Sequence, residues 1–194
     1  MEDTALDQSA DLSNDALLVL YANGDTSAAA QLTARLSPRA LSIAWRMLTD
    51  MAEAEDVVQD AMLRLWKQAP DWRSGEADPG TWLYRVVSNL CIDRLRKRKR
   101  VDVGLDGVAE PPDPTPGGEA AMIAQDRMAA LNAGLAQVPD RQRQAVILRH
   151  IEELPNPQIA QIMDISVEAV ESLTARGKRA LAQALAPRKE ELSS

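Results

Sequence analysis

Arg85, Asn89, Arg96 and Arg100 are spaced by four, seven and four residues, which lays them along one face of an α-helix. Arginine on such a face neutralises phosphate and releases its counterions, so three bases and an Asn side by side suggest a nucleic-acid footprint. The surrounding segment, "WLYRVVSNLCIDRLRKRKR" from Trp82 to Arg100, concentrates the charge further. Arg85, Arg94, Arg96, Lys97, Arg98, Lys99 and Arg100 stand against a single acid, Asp93. The 194-residue chain as a whole carries a formal charge of -7, so the segment reverses the sign of its host. A solvated helix end is the plainer reading of a basic run, but a solvated face more often mixes in Glu.

Other chemistries lack their residues. One cysteine, Cys91, excludes an internal disulfide, and with one histidine, His150, no Cys/His metal cage can be assembled. Cys91 reads as a small packing residue; the alternative is a redox thiol activated by nearby Arg94. His150 has no partner in sequence and reads as structural or solvated. No catalytic nucleophile, phosphate-binding glycine loop or carboxylate pair stands out, so neither an enzyme nor a cofactor is expected.

The elements that must position the basic face are helical. The chain is 45% hydrophobic with no Phe and 3% aromatic residues, so Leu, Val, Ile, Met and Ala must fill its cores. Helix formers abound and period-two alternation is scarce, which predicts an all-α protein. No apolar run reaches a membrane span and the acidic start lacks signal-peptide features, so a cytoplasmic protein is expected. "VDVGLDGVAEPPDPTPGG", residues 101–118, combines Pro, Gly and acids without a base and reads as a flexible linker. It divides the chain into an acidic tail (1–12), an N-terminal lobe (13–100), a C-terminal lobe (119–187) and a short tail (188–194).

In the N-terminal lobe, Ser13 is an expected N-cap and Gly24 a stop signal, followed by helices over about 26–36 and 38–48, the second opening on Pro38. "AEAEDVVQDAMLRLWKQA" puts Val57, Val58, Ala61, Met62, Leu65 and Trp66 on one helical face, with Asp56, Gln59, Asp60 and Arg64 largely off it. On the opening helix Trp82, Leu83, Val86, Val87, Leu90 and Leu95 form the core stripe. In the C-terminal lobe, Asp140, Asn156 and Ser166 are expected caps, and Asp164 is expected to take the left-handed turn conformation. A short helix, a brief turn and a longer helix follow the helix-turn-helix pattern, which a mere packing hairpin can also produce.

The two lobes together resemble the extracytoplasmic-function sigma factors of the sigma-70 family. "AEAEDVVQDAMLRLW" is similar to the family's AED-x-x-Q-(D/E)-x-(F/M)-x-x-x-W run, and "TWLYRVVSNLCIDRLRKRKR" to its WLYRIA-x-N-x-x-x-D-x-x-R-(R/K) run. "LAQVPDRQRQAVILRHIEELPNPQIAQIMDIS" resembles the start of region 4. The resemblance implies region 2 in the N-terminal lobe and region 4 in the C-terminal lobe. It assigns Arg73, Ser74, Arg85, Asn89, Arg96, Lys97, Arg98, Lys99 and Arg100 to the minus-10 element. Asn89 would help to read an unpaired base and the loop from Arg73 to Thr81 would shape a pocket for a flipped one.

It further assigns Asp56, Gln59, Asp60 and Met62 to core RNA polymerase, on the clamp helices of β′, with region 4 gripping the β flap. The minus-35 element would fall to Glu171, Ser172, Ala175, Arg176, Lys178 and Arg179. Here "EAVESLTARGKRA" departs from the family's G-T-V-(K/R)-S-R-x-x-R-A-(R/K): Glu171 stands where a base is usual and Leu173 replaces another. An anti-sigma factor is an expected further partner. Two rival readings remain, a sigma-like decoy that binds only the anti-sigma factor and a helix-turn-helix repressor. Intact bases and Asn89 argue against the first, and the "EDVVQDAM" surface against the second.

Overall fold

The computed structural model describes residues 12–75, 77–102 and 119–191. Residues 1–11 of the acidic tail and the linker residues 103–118 lie outside the described residues. Every regular element among those described is helical: α1 (Asn14–Ala22), α2 (Thr26–Leu48), α3 (Met51–Gln68), a 3-10 turn (Ala69–Asp71), α4 (Pro79–Asp102), α5 (Glu119–Ala136), α6 (Asp140–Val146) with a π turn (Ile147–Ile151), α7 (Asn156–Met163) and α8 (Val167–Glu191). Both α4 and α8 run on into stretches expected as linker and tail.

Side-chain caps set most of the starts. Ser13 Oγ accepts from the Ala16 N–H at 3.1 Å, Asp25 Oδ1 from Ser27 at 2.9 Å, and Asp50 Oδ1 from Glu53 at 2.9 Å. Asp78 Oδ2 accepts from Thr81 at 2.9 Å with Pro79 as the first helical residue, and Ser166 Oγ accepts from Ala169 at 3.2 Å. Two expected caps shift by one residue. Asp140 and Asn156 are the first helical residues of α6 and α7, preceded by Pro139 and Pro155. At that position the Asp140 carboxylate still meets the positive end of the helix.

The expected break at Pro38 does not occur, and α2 is one helix with Pro38 inside it. An interior proline removes a backbone donor and costs about 3 kcal/mol. Leu32 and Leu36 before it and Ala40, Ile43, Ala44 and Met47 after it are all buried, and only a continuous helix puts them on one stripe. Each large aliphatic side chain contributes about 1.5–3 kcal/mol when buried. The stripe therefore outweighs the proline, which sits on the exposed side.

Helices α1 to α4 pack around Leu17, Leu18, Leu32, Ile43, Leu65, Leu83 and Val87, and α5 to α8 around Leu135, Ile147, Leu148, Ile159 and Val170. The lobes are also in contact: α2 packs on α5 and α6, and α4 on α7, so the buried apolar side chains form one continuous cluster. Asp164 takes the left-handed conformation, φ 55°, that ends α7 in a tight turn. Among the described residues no helix is long and apolar enough to cross a membrane.

Candidate nucleic-acid interface

Helix α4 divides its residues between two faces. Leu83, Val87 and Cys91 are fully buried at the centre of the apolar stripe, with Trp82, Val86 and Leu90 half-buried on its flank. The other side exposes Arg85, Asn89, Arg96, Lys97, Lys99 and Arg100. The seven bases of the segment are not equivalent. Arg94 turns to α3, donating to the Glu53 carbonyl at 3.2 Å and lying 3.9 Å from the Asp56 carboxylate. Arg98 turns the same way: it pairs with Glu53 at 2.8 Å and Asp50 at 3.7 Å and donates to the Leu48 carbonyl at 3.0 Å. That carbonyl lies at the C-terminus of α2, where the helix dipole favours a cation. Arg98 thus ties α4 to α2 and α3, unlike the outward basic residue expected from its place in the run.

Among the outward cations, Arg96 lies 3.8 Å from Asp93 along its own helix. Arg85 and Lys99 meet the other lobe, at 3.2 Å from Asp164 and 2.7 Å from Asp140. The exposed loop residues Arg73 and Ser74 lead into α4. Trp72 Nε1 donates to Asp15 at 2.7 Å, and its ring stands edge-on to Trp82 with centroids 6.3 Å apart. Trp82 is held in this pair and packs against the core. Beside it opens a cleft of about 650 Å³, lined by Asp15, Asp78, Thr81, Trp82 and Arg85, with Asp164 at its edge.

On α3, Asp56 and Gln59 are exposed, and Asp60 makes a two-pronged pair with Arg64 at 3.1 and 2.9 Å. Met62 is only 7% exposed and packs into the lobe, so it is not part of this surface. Leu63, which the sequence reading missed, is 52% exposed. It follows Asp56, Gln59 and Asp60 by seven, four and three residues, a spacing that puts all four on one face. An apolar residue on an otherwise polar face was the available signal.

In the helix-turn-helix, Ile159 and Ile162 of α7 and Val170 and Thr174 of α8 are buried, while Glu171, Ser172, Ala175, Arg176, Lys178 and Arg179 are exposed on α8. Arg141 donates to the Met163 carbonyl at 3.2 Å and fixes the turn. Asn156 Nδ2 donates to Glu171 Oε1 at 3.4 Å, tying the start of α7 to α8. Desolvation, with Lys178 and Arg149 nearby, pulls His150 below the ordinary imidazole range and keeps it neutral at pH 7. Burial pushes the Cys91 thiol up to about 12 against the weaker pull of Arg94, which makes it a packing residue, not a reactive thiolate. Among the described residues no group of His, Cys, Asp and Glu is arranged to hold a metal ion.

The family model for sigma-70 region 2 matches residues 32–101, and that for sigma-70 region 4 matches residues 128–181. The chain is 29% identical to the ECF RNA polymerase sigma factor SigW of Bacillus subtilis, over 84% of this chain and 91% of the relative. It is 30% identical to the RNA polymerase sigma-H factor of Pseudomonas aeruginosa, over 84% and 89%. Its fold is similar to that of the sigma factor RpoE from Bartonella quintana, solved with the anti-sigma factor NepR: TM-score 0.64, 23% identity, covering 80% of this chain and 94% of that one. With the two regions in order on two helical lobes, and relatives aligned over most of their own length, the chain belongs to the extracytoplasmic-function sigma factors of the sigma-70 family, which are transcription initiation factors and not enzymes.

Proposed function

We propose that this sigma factor binds core RNA polymerase in the cytoplasm, reads the minus-10 element with α4 and its preceding loop, and reads the minus-35 element with α8. The observation that carries the reading is the division of α4, which exposes Arg85, Asn89, Arg96, Lys97, Lys99 and Arg100 together while burying Leu83, Val87 and Cys91. The bases supply affinity for the strand, and Asn89 supplies a donor and an acceptor for an unpaired base. Arg98 holds α4 in place from behind and is left out of the DNA face. Asp56, Gln59, Asp60 and Leu63 offer one surface to the β′ clamp helices, an apolar residue ringed by polar ones; region 4 would take the β flap.

On α8, Arg176 addresses a base edge, with Ser172, Glu171 and Ala175 beside the groove and Lys178 and Arg179 on phosphate. Glu171 accepts from cytosine N4 in this scheme. An anti-sigma factor is the proposed regulatory partner, supported by the fold's likeness to a chain solved with one. A decoy has no use for an exposed Asn89 among bases, and a repressor has none for the α3 surface. The test is transcription by core RNA polymerase on a genomic fragment library, with and without the protein. Specific transcripts that vanish with Asn89→Ala are expected. Tight DNA binding without core and without transcripts would favour the repressor, and neither would favour the decoy.

A further inference from the structure

We propose that Asn156, the first residue of α7, is a positioning residue that holds Glu171 for discrimination at one base pair of the minus-35 element. The inference rests on the reading of α8 given above and names what makes its Glu171 selective. Asn156 Nδ2 donates to Glu171 Oε1 at 3.4 Å, across the two helices of the helix-turn-helix and 15 residues away in the chain. Its own helix offers Glu171 no cation. One turn away on α8 stand Val167, Glu168, Thr174 and Ala175. The donor that faces this carboxylate therefore comes from α7.

The mount is stiff. Pro155 fixes its own φ just before Asn156, and Pro157 restricts the backbone of Asn156 itself. Asp164 turns left-handed at φ 55°, Ser166 caps the start of α8 at 3.2 Å, and α7 packs on α8, so backbone sets both ends of the bond. A carboxylate in the groove accepts from cytosine N4 and repels guanine O6 and N7 and thymine O4. Rejection adds to specificity only if the carboxylate cannot swing away from the wrong base. A free Glu side chain has the rotamers to do so. A bond to Oε1 takes them away and leaves Oε2 for the base.

The test is transcription by holoenzyme on a promoter from the fragment screen, with each minus-35 base pair changed in turn to the other three. Wild type is expected to favour cytosine about tenfold at one position, and Glu171→Ala to erase that preference and so identify the position. Asn156→Ala and Asn156→Asp are expected to cut it to about threefold or less, with preferences at the other positions kept. Asn156→Asp carries the most weight. It keeps the size of the side chain and suits a helix start, but replaces the donor by a second carboxylate. In a Glu171→Ala background, Asn156→Asp should change that position no further. If both Asn156 variants retain the wild-type preference while Glu171→Ala loses it, Asn156 positions nothing and the assignment of Glu171 stands. Preferences that weaken alike at every position would mark a merely structural role and also overturn the proposal. If Glu171→Ala leaves every preference intact, the reading of α8 beneath it fails.

Discussion

Gly177 lies where α8 crosses α6, and a Cβ built there would come within 2.5 Å of Val146 Cγ2 and 2.8 Å of the Gln142 carbonyl oxygen. Glycine inside a helix ordinarily costs about 1 kcal/mol against alanine. Here the sign reverses, since behind the Val146 side chain stands the Gln142 backbone, which cannot step aside. Gly177→Ala is expected to destabilise the protein by about 1–3 kcal/mol, seen as a lower urea midpoint at unchanged slope. A higher midpoint would show that α8 and α6 do not approach so closely. On the same helix Thr174 is buried, while Ser172, Ala175 and Arg176 are exposed. At this scale the chemistry of Cys91 also resolves: a buried thiol pushed up to about 12 serves packing.

At the scale of elements, α2 shows the contest between a local breaker and long-range burial. Pro38 deprives one carbonyl of its donor on the exposed side, while Leu36 and Ala40 on either side of it stay buried. Pro38→Ala is therefore expected to stabilise the N-terminal lobe by about 1–3 kcal/mol, measured by thermal or urea unfolding. Loss of stability instead would mean that the proline itself packs. Features written in neighbouring residues were legible in the sequence. Ser13 and Ser166 cap as expected because a hydroxyl needs only the N–H three residues on, and Asp164 turns left-handed because a short polar side chain tolerates it. The basic face of α4 was legible by spacing alone. Arg98 was not, because its partners Leu48, Asp50 and Glu53 lie on other helices. Met62 is different: the periodicity of α3 already places it on the apolar stripe, where it is buried, and only the family pattern assigned it to the polymerase surface, while Leu63 stands outside.

At the scale of the molecule, a chain with a formal charge of -7 still gathers Arg85, Arg96, Lys97, Lys99 and Arg100 on the exposed side of α4, and Arg176, Lys178 and Arg179 on α8. The contact between lobes was the feature least accessible from sequence. Arg143 and the Met47 carbonyl are 96 residues apart in the chain, and no periodicity connects them. In the function proposed above, α4 meets the minus-10 element and Asn89 meets a base leaving the stack. Extruding a base costs a few kcal/mol, so a site that captures the extruded form promotes melting. The most direct measurement is permanganate footprinting of a promoter found in the transcription screen, using holoenzyme assembled with wild type or Asn89→Ala. The expected result is reactive thymines at the minus-10 element with the wild type and their loss with Asn89→Ala, while the variant still co-purifies with core polymerase. Equal reactivity with both proteins would contradict the assignment of α4 as the surface that reads and opens the promoter.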